Sequence, residues 1–274
     1  MMVTHSVQPR LRFPLSAWPS LLIGFLAIKA ALSLGLGLGD KLALYGSVAY
    51  FLLLLLATAF SFMNAVERTQ GRRLFWAFIA AGCGLWSLDQ WIYVYYGVFR
   101  HMDVPDQSIA DPALFLHIVP FMAAIALRPH LQGYDRKSYR ATLNFFFLLT
   151  FWVFLYAYFL FPYQYLFPNP AIYNPRFTIL YALENLGLVL IQCMVIWTAQ
   201  GPWRVTYFHL LGASALYALS STLANLAIDS GKSYNGSLYS LAQNAAVCWF
   251  LWLPLRARQL RPARTCTDGL GARG

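Results

Sequence analysis

The chain has 274 residues, of which 59% are hydrophobic and only 11% charged. Soluble domains carry about 25% charged residues, so this composition excludes an ordinary soluble domain and points to a membrane protein. The net charge of +10 does not point to nucleic acid, because the basic residues are scattered through short loops between apolar runs, where membrane topology accounts for them.

A bilayer core needs about 20 apolar residues per helix. Eight segments qualify in chain order, at 17–38, 42–64, 74–98, 111–128, 141–162, 177–199, 205–228 and 237–255. The expected fold class is therefore an all-α integral membrane protein, a bundle of eight transmembrane helices. Residues 1–16 are expected to form a cytoplasmic N-terminal segment, 17–255 the membrane domain and 256–274 a basic, disordered cytoplasmic tail. The first segment is too long for a signal-peptide core and lacks a clear small-residue cleavage site, so it is expected to be retained.

Orientation follows from Lys and Arg. With the N-terminus inside, 15 basic residues fall on the inner side and only Lys41, Arg100, Arg176 and Lys232 on the outer side. Both termini are thus expected in the cytoplasm, and the location in a bacterial inner membrane.

The outer connection PYQYLFPNPAIYNPRF carries Pro162, Pro168, Pro170 and Pro175 among tyrosines and phenylalanines. It reads as a restricted loop whose aromatics sit at the headgroup layer, or alternatively as a lid over a pocket. Before the fourth segment, Asp111 is expected to cap the helix, with Pro112 at its first position. Pro120 cannot donate a backbone hydrogen bond and is expected to kink that helix near His117.

Polar residues inside the segments mark candidate function, because ionisable groups are costly in a bilayer. At 1.5 Å per residue, Asp89 lies about 14 Å below the outer end of its helix, His117 about 9 Å and Glu184 about 11–13 Å. Gln243 falls at a similar level. Asp89 and Tyr93 share one helix face by their i, i+4 spacing, while Tyr181, Glu184 and Asn185 cluster on another helix. Asp89, Tyr93, His117, Glu184 and Gln243 are the expected walls of one ligand pocket in the outer leaflet. Lys29 is expected to pair with Asp89 or Glu184. Interhelical hydrogen bonds of about 1 kcal/mol each are the alternative use of the same groups.

Other chemistry finds little footing. Cys83, Cys193 and Cys248 lie within apolar helices, and no Cys/His spacing suits zinc. His117 and His209 fall in opposite halves, which argues against a haem held by two histidines. No nucleophile elbow, HExxH or phosphate loop is present, so no metal, cofactor or enzymatic activity is expected.

The stretch around Trp86, Asp89, Trp91, Tyr95 and Tyr96, then Pro105, Ser108, Asp111, Phe115, His117 and Pro120, resembles the N-terminal multi-pass sensor regions of bacterial histidine kinases and diguanylate cyclases, in particular the acidobacterial type. Here Asp106 and Gln107 separate Pro105 from Ser108, a departure from the simpler spacing. The resemblance implies a membrane module that detects a small molecule, a lipid or a membrane state, with catalysis in a cytoplasmic domain after the last helix. The tail RARQLRPARTCTDGLGARG is expected to favour anionic lipid and to lack that domain.

The leading expectation is a sensory, signal-transducing module without catalytic output, signalling by a shift of its last helix. Its expected partners are membrane lipids, a small-molecule ligand, and a second copy or a kinase or regulator in trans. A proton-coupled or small-solute transporter using Lys29, Asp89 and Glu184, and a purely structural membrane partner, are the alternatives.

Overall fold

The computed structural model describes residues 17–35, 39–68, 70–102, 104–105, 108–130, 138–229 and 239–259. Among the described residues the fold is entirely helical: α1 (Ala17–Gly35), α2 (Asp40–Val66), α3 (Gln70–Val94), α4 (Ala110–Leu116), α5 (Ile118–Ala126), α6 (Ser138–Phe159), α7 (Pro170–Thr198), α8 (Gly201–Asp229) and α9 (Tyr239–Gln259). Short π-helical stretches at Tyr95–Arg100 and Pro162–Leu166 extend α3 and α6. Most of the expected tail and the first 16 residues lie outside the described residues.

Four helical stretches, Ala17–Gly35, Lys41–Val66, Thr142–Leu166 and Pro170–Thr198, are long and apolar enough to cross a membrane. The mid-points of the eight expected segments agree with the helices, but their bounds shift. Expected to start at 177, α7 instead starts at Pro170 and carries Pro175 inside it. Proline is tolerated at a first helical position because its missing N–H would be unpaired there anyway.

The expected fourth segment is two helices. Pro120 cannot bond the carbonyl of Leu116, four residues back, and the break falls at His117, just ahead of the proline. Every residue from Ile118 to Ile125 is buried. A helix apolar on all sides belongs inside a bundle, and α5 packs on α3, α6 and α7. The wall around it runs α2, α3, α7, α8 and α9, while α1 rests mainly on α9.

Close approach explains two glycines. A Cβ on Gly82 would lie 2.9 Å from the His117 carbonyl oxygen and 2.9 Å from the Phe121 ring, so only glycine lets α3 meet the helix break this tightly. Gly212 of α8 likewise faces the Trp249 ring of α9.

The bundle has two unlike ends. At one end, Asn64 Nδ2 donates to the Pro254 carbonyl at 2.9 Å and Arg68 to the Ala257 carbonyl at 2.7 Å. There Arg258 pairs with Glu67 at 2.9 Å, so the last turn of α9 is tied to the end of α2. Arg256 and Arg258 also suit the negative end of the α9 dipole. The opposite end is built from the start of α2, the end of α3, α4 and the start of α7, and it is not closed.

Candidate functional site

At that second end lies an open cleft of about 1090 Å³. Asp111, Gln164, Tyr93, Tyr163, Tyr173 and Phe177 supply its polar and aromatic lining, and Ala43, Leu44 and Ser47 of α2 its far side. Small-molecule sites are typically clefts of about 300–1,000 Å³ with a few convergent polar groups.

Asp111 is the centre of the arrangement and is not a helix cap. The helix starts one residue earlier, at Ala110, whose N–H donates to Ser108 Oγ at 3.2 Å. That places Asp111 second and Pro112 third in α4. Released from capping, the Asp111 carboxylate accepts from Gln164 Nε2 and from the Tyr173 hydroxyl, both at 2.7 Å. Tyr156 in turn donates to Gln164 Oε1. One carboxylate therefore joins α4, α6, the π-helical stretch and α7.

The Pro-rich connection expected as an interfacial loop is the wall of this site. Its π-helical turn buries Gln164, and Tyr165 donates to the Ser108 carbonyl at 2.9 Å. Tyr173 and Phe177, one turn apart on α7, present tilted rings 5.8 Å apart. Arg176 lies 4.4 Å over the Tyr163 ring, a geometry in which an aromatic face attracts a cation.

Of the five expected pocket residues, only Tyr93 lines the cleft. Asp89, His117 and Glu184 are buried in the bundle and line neither this cleft nor a second, smaller cavity between α7 and α8. Asp89 accepts from Gln90 Nε2 at 2.8 Å and keeps Oδ1 without a partner. It stands one helical turn from Tyr93, which lines the cleft. Both oxygens of Glu184 are buried without a hydrogen-bond partner. Gln243 is half-buried on α9 and joins none of the others.

His117 sits at the helix break, bonded through Nδ1 to the Leu114 carbonyl, with Nε2 buried and unpartnered. Trp86, Tyr217, Phe121 and Tyr181 surround it with ring centroids 4.9, 5.6, 6.0 and 6.3 Å away. The Tyr181 and Tyr217 hydroxyls bond each other. His117 is thus enclosed by aromatic rings and lines neither of the two cavities.

Lys29 is buried on α1 beside Cys248 of α9 and forms no ion pair with Asp89 or Glu184. The reason is placement: α1 packs on α9 and slightly on α2, and touches neither α3 nor α7 closely. No group of three or more His, Cys, Asp and Glu suited to a metal occurs among the described residues. No protein-family model matches the chain, and no curated protein or solved structure matches it.

Proposed function

We propose that this chain is a multi-pass membrane receptor that holds a small organic cation in the Asp111 cleft and passes occupancy to its basic end. In this reading α1, α2, α3, the α4–α5 unit, α6, α7, α8 and α9 make eight crossings, with both termini cytoplasmic and the cleft facing outward. Among the described residues, Arg68, Arg72, Arg73, Arg128, Arg140, Arg204, Arg256 and Arg258 belong to one end, against Lys41, Arg100 and Arg176 at the other. That asymmetry supports the orientation.

The observation that carries the ligand class is the Asp111 carboxylate held by Gln164 and Tyr173 in an aromatic-lined cleft. Among the described lining residues it is the one carboxylate, and none is Lys or Arg. Tyr93, Tyr173 and Phe177 add ring faces, which favour a desolvated ammonium group.

A path from the cleft to the other end supports sensing. Asp111 lies in the first turn of α4, the α4–α5 unit runs through the centre, and Phe121 of α5 stacks on Phe250 of α9 with centroids 5.2 Å apart. In this reading a shift of α4 is passed through that contact to the last helix, whose end is tied to α2. In this reading a partner or an appended domain performs the output.

Thermal unfolding in detergent tests the ligand class. Tetramethylammonium is expected to raise the midpoint, whereas neopentyl alcohol, of similar shape but neutral, is not. Equal effects of the two would remove the charge argument. The transporter reading has one observation in its favour, the unpartnered Asp89 Oδ1 behind the cleft. It predicts proton-dependent uptake into vesicles that is lost in Asp89→Asn.

A further inference from the structure

At the basic end, α8 and α9 aim two donors at one imidazole. Trp249 Nε1 donates to His209 Nδ1 at 3.2 Å, and Nη1 of Arg256 meets His209 Nε2. Indole and guanidinium nitrogens only donate, and a neutral imidazole accepts at one nitrogen alone. One of the two donors therefore always faces an N–H. Among the described residues Arg258 takes Glu67, and no carboxylate pairs with Arg256.

The corner thus carries positive charge and is short of an acceptor. An anionic oxygen would satisfy every group in it. With Arg256 and the His209 Nε2–H both donating to that oxygen, Nδ1 stays free to accept from Trp249.

Placement says which anion. His209, Trp249 and Arg256 are each part-buried, so the corner is reached from the surroundings of the bundle. Val205 and Phe208, beside His209 on α8, are 42% and 61% exposed, an apolar strip suited to an acyl chain. Arg256 stands three residues before the end of α9 at Gln259. That is about 4.5 Å along the helix, within a headgroup layer about 5–7 Å thick. Arg204, exposed in the first turn of α8, adds a cation at the same end. Basic pockets between membrane helices on the cytoplasmic side suit anionic head groups.

We infer that the α8–α9 corner binds the phosphate of an anionic phospholipid through Arg256 and the His209 Nε2–H, with an acyl chain along Val205 and Phe208. The site rests on the membrane reading and is independent of the cation cleft.

The test is native mass spectrometry of the full chain in detergent, titrated with dioleoylphosphatidylglycerol and, separately, dioleoylphosphatidylcholine. One phosphatidylglycerol is expected to bind at least about tenfold tighter than phosphatidylcholine, whose choline offsets the phosphate charge. Arg256→Gln and His209→Leu should each lose most of that preference. Arg72→Gln, which removes one exposed charge at the same end, should keep it. Inorganic phosphate in excess should not displace the lipid. Equal binding of the two lipids, an unchanged preference in Arg256→Gln, an equal loss in Arg72→Gln, or displacement by inorganic phosphate would overturn the site. Alkaline extraction of reconstituted vesicles reports insertion separately. An extractable chain fails the membrane reading, and an inserted chain without the lipid preference fails the site alone.

Discussion

The indole of Trp86 lies 4.9 Å from the imidazole of His117, at the point where the buried α4–α5 unit breaks. Trp86 also meets Tyr217 at 4.3 Å, Tyr50 at 5.9 Å and Phe250 at 6.0 Å, so one side chain joins α2, α3, α8 and α9 around the break. Truncating a buried Trp costs about 3–5 kcal/mol. Trp86→Ala is expected to lose stability on that scale in reversible detergent unfolding, and Trp86→Phe distinctly less. Equal, small losses would mean that the cluster does not hold the bundle.

Gly82 offers a sharper contrast. Its Cβ would meet the His117 carbonyl and the Phe121 ring at 2.9 Å, while a Cβ on Gly84 would stand 3.7 Å from Thr58 Cγ2, an ordinary contact. Gly82→Ala should cost about 1–3 kcal/mol by overpacking. Gly84→Ala should be neutral or slightly stabilising through the better helix propensity of alanine. Thermal midpoints of the two variants, measured side by side, decide it.

At the basic end, two neighbouring ties join α2 to α9, and they differ in strength because their surroundings differ. Asn64 bonds the Pro254 carbonyl, and Glu67 pairs with the Arg258 guanidinium. Asn64 is fully buried, and Asn64→Ala should cost about 1–3 kcal/mol because the carbonyl loses its donor. The Glu67–Arg258 pair is part-exposed, and Glu67→Gln should cost under about 1 kcal/mol. A larger loss for Glu67→Gln than for Asn64→Ala would reverse the ranking.

His130 follows the buried α5 and bonds the Tyr207 hydroxyl at 3.1 Å. Burial, and then the charge of Arg128, lower its pKa below the ordinary histidine value. The unfolded chain therefore takes up a proton at higher pH than the folded one. Stability from this group is present above about pH 6.5 and is lost as pH falls from there toward the lowered value. A stability–pH profile of His130→Gln should be flatter than wild type in that window, and the His130 imidazole should titrate below the ordinary histidine value by NMR.

The helical fold is legible in the sequence because apolar length survives without any knowledge of neighbours. Asp89, His117 and Glu184 show where that reasoning stops. Helical rise places all three at similar depth, but depth says nothing about direction around each axis, and the aromatic rings of Trp86, Tyr181 and Tyr217 crowd around His117. Asp111 escapes sequence reasoning for the complementary reason. An Asp-Pro pair is a strong local capping signal, and only the distant Gln164 and Tyr173 reveal that its carboxylate turns elsewhere. The prolines around Gln164 hide those partners by reading as loop.

Isothermal titration of the full chain in detergent with tetramethylammonium tests whether Asp111 holds a cation. Saturable binding that weakens at least about tenfold in Asp111→Asn, a loss of about 1.4 kcal/mol, is the predicted result. Absence of saturable binding to the wild type, or unchanged affinity in Asp111→Asn, would contradict it.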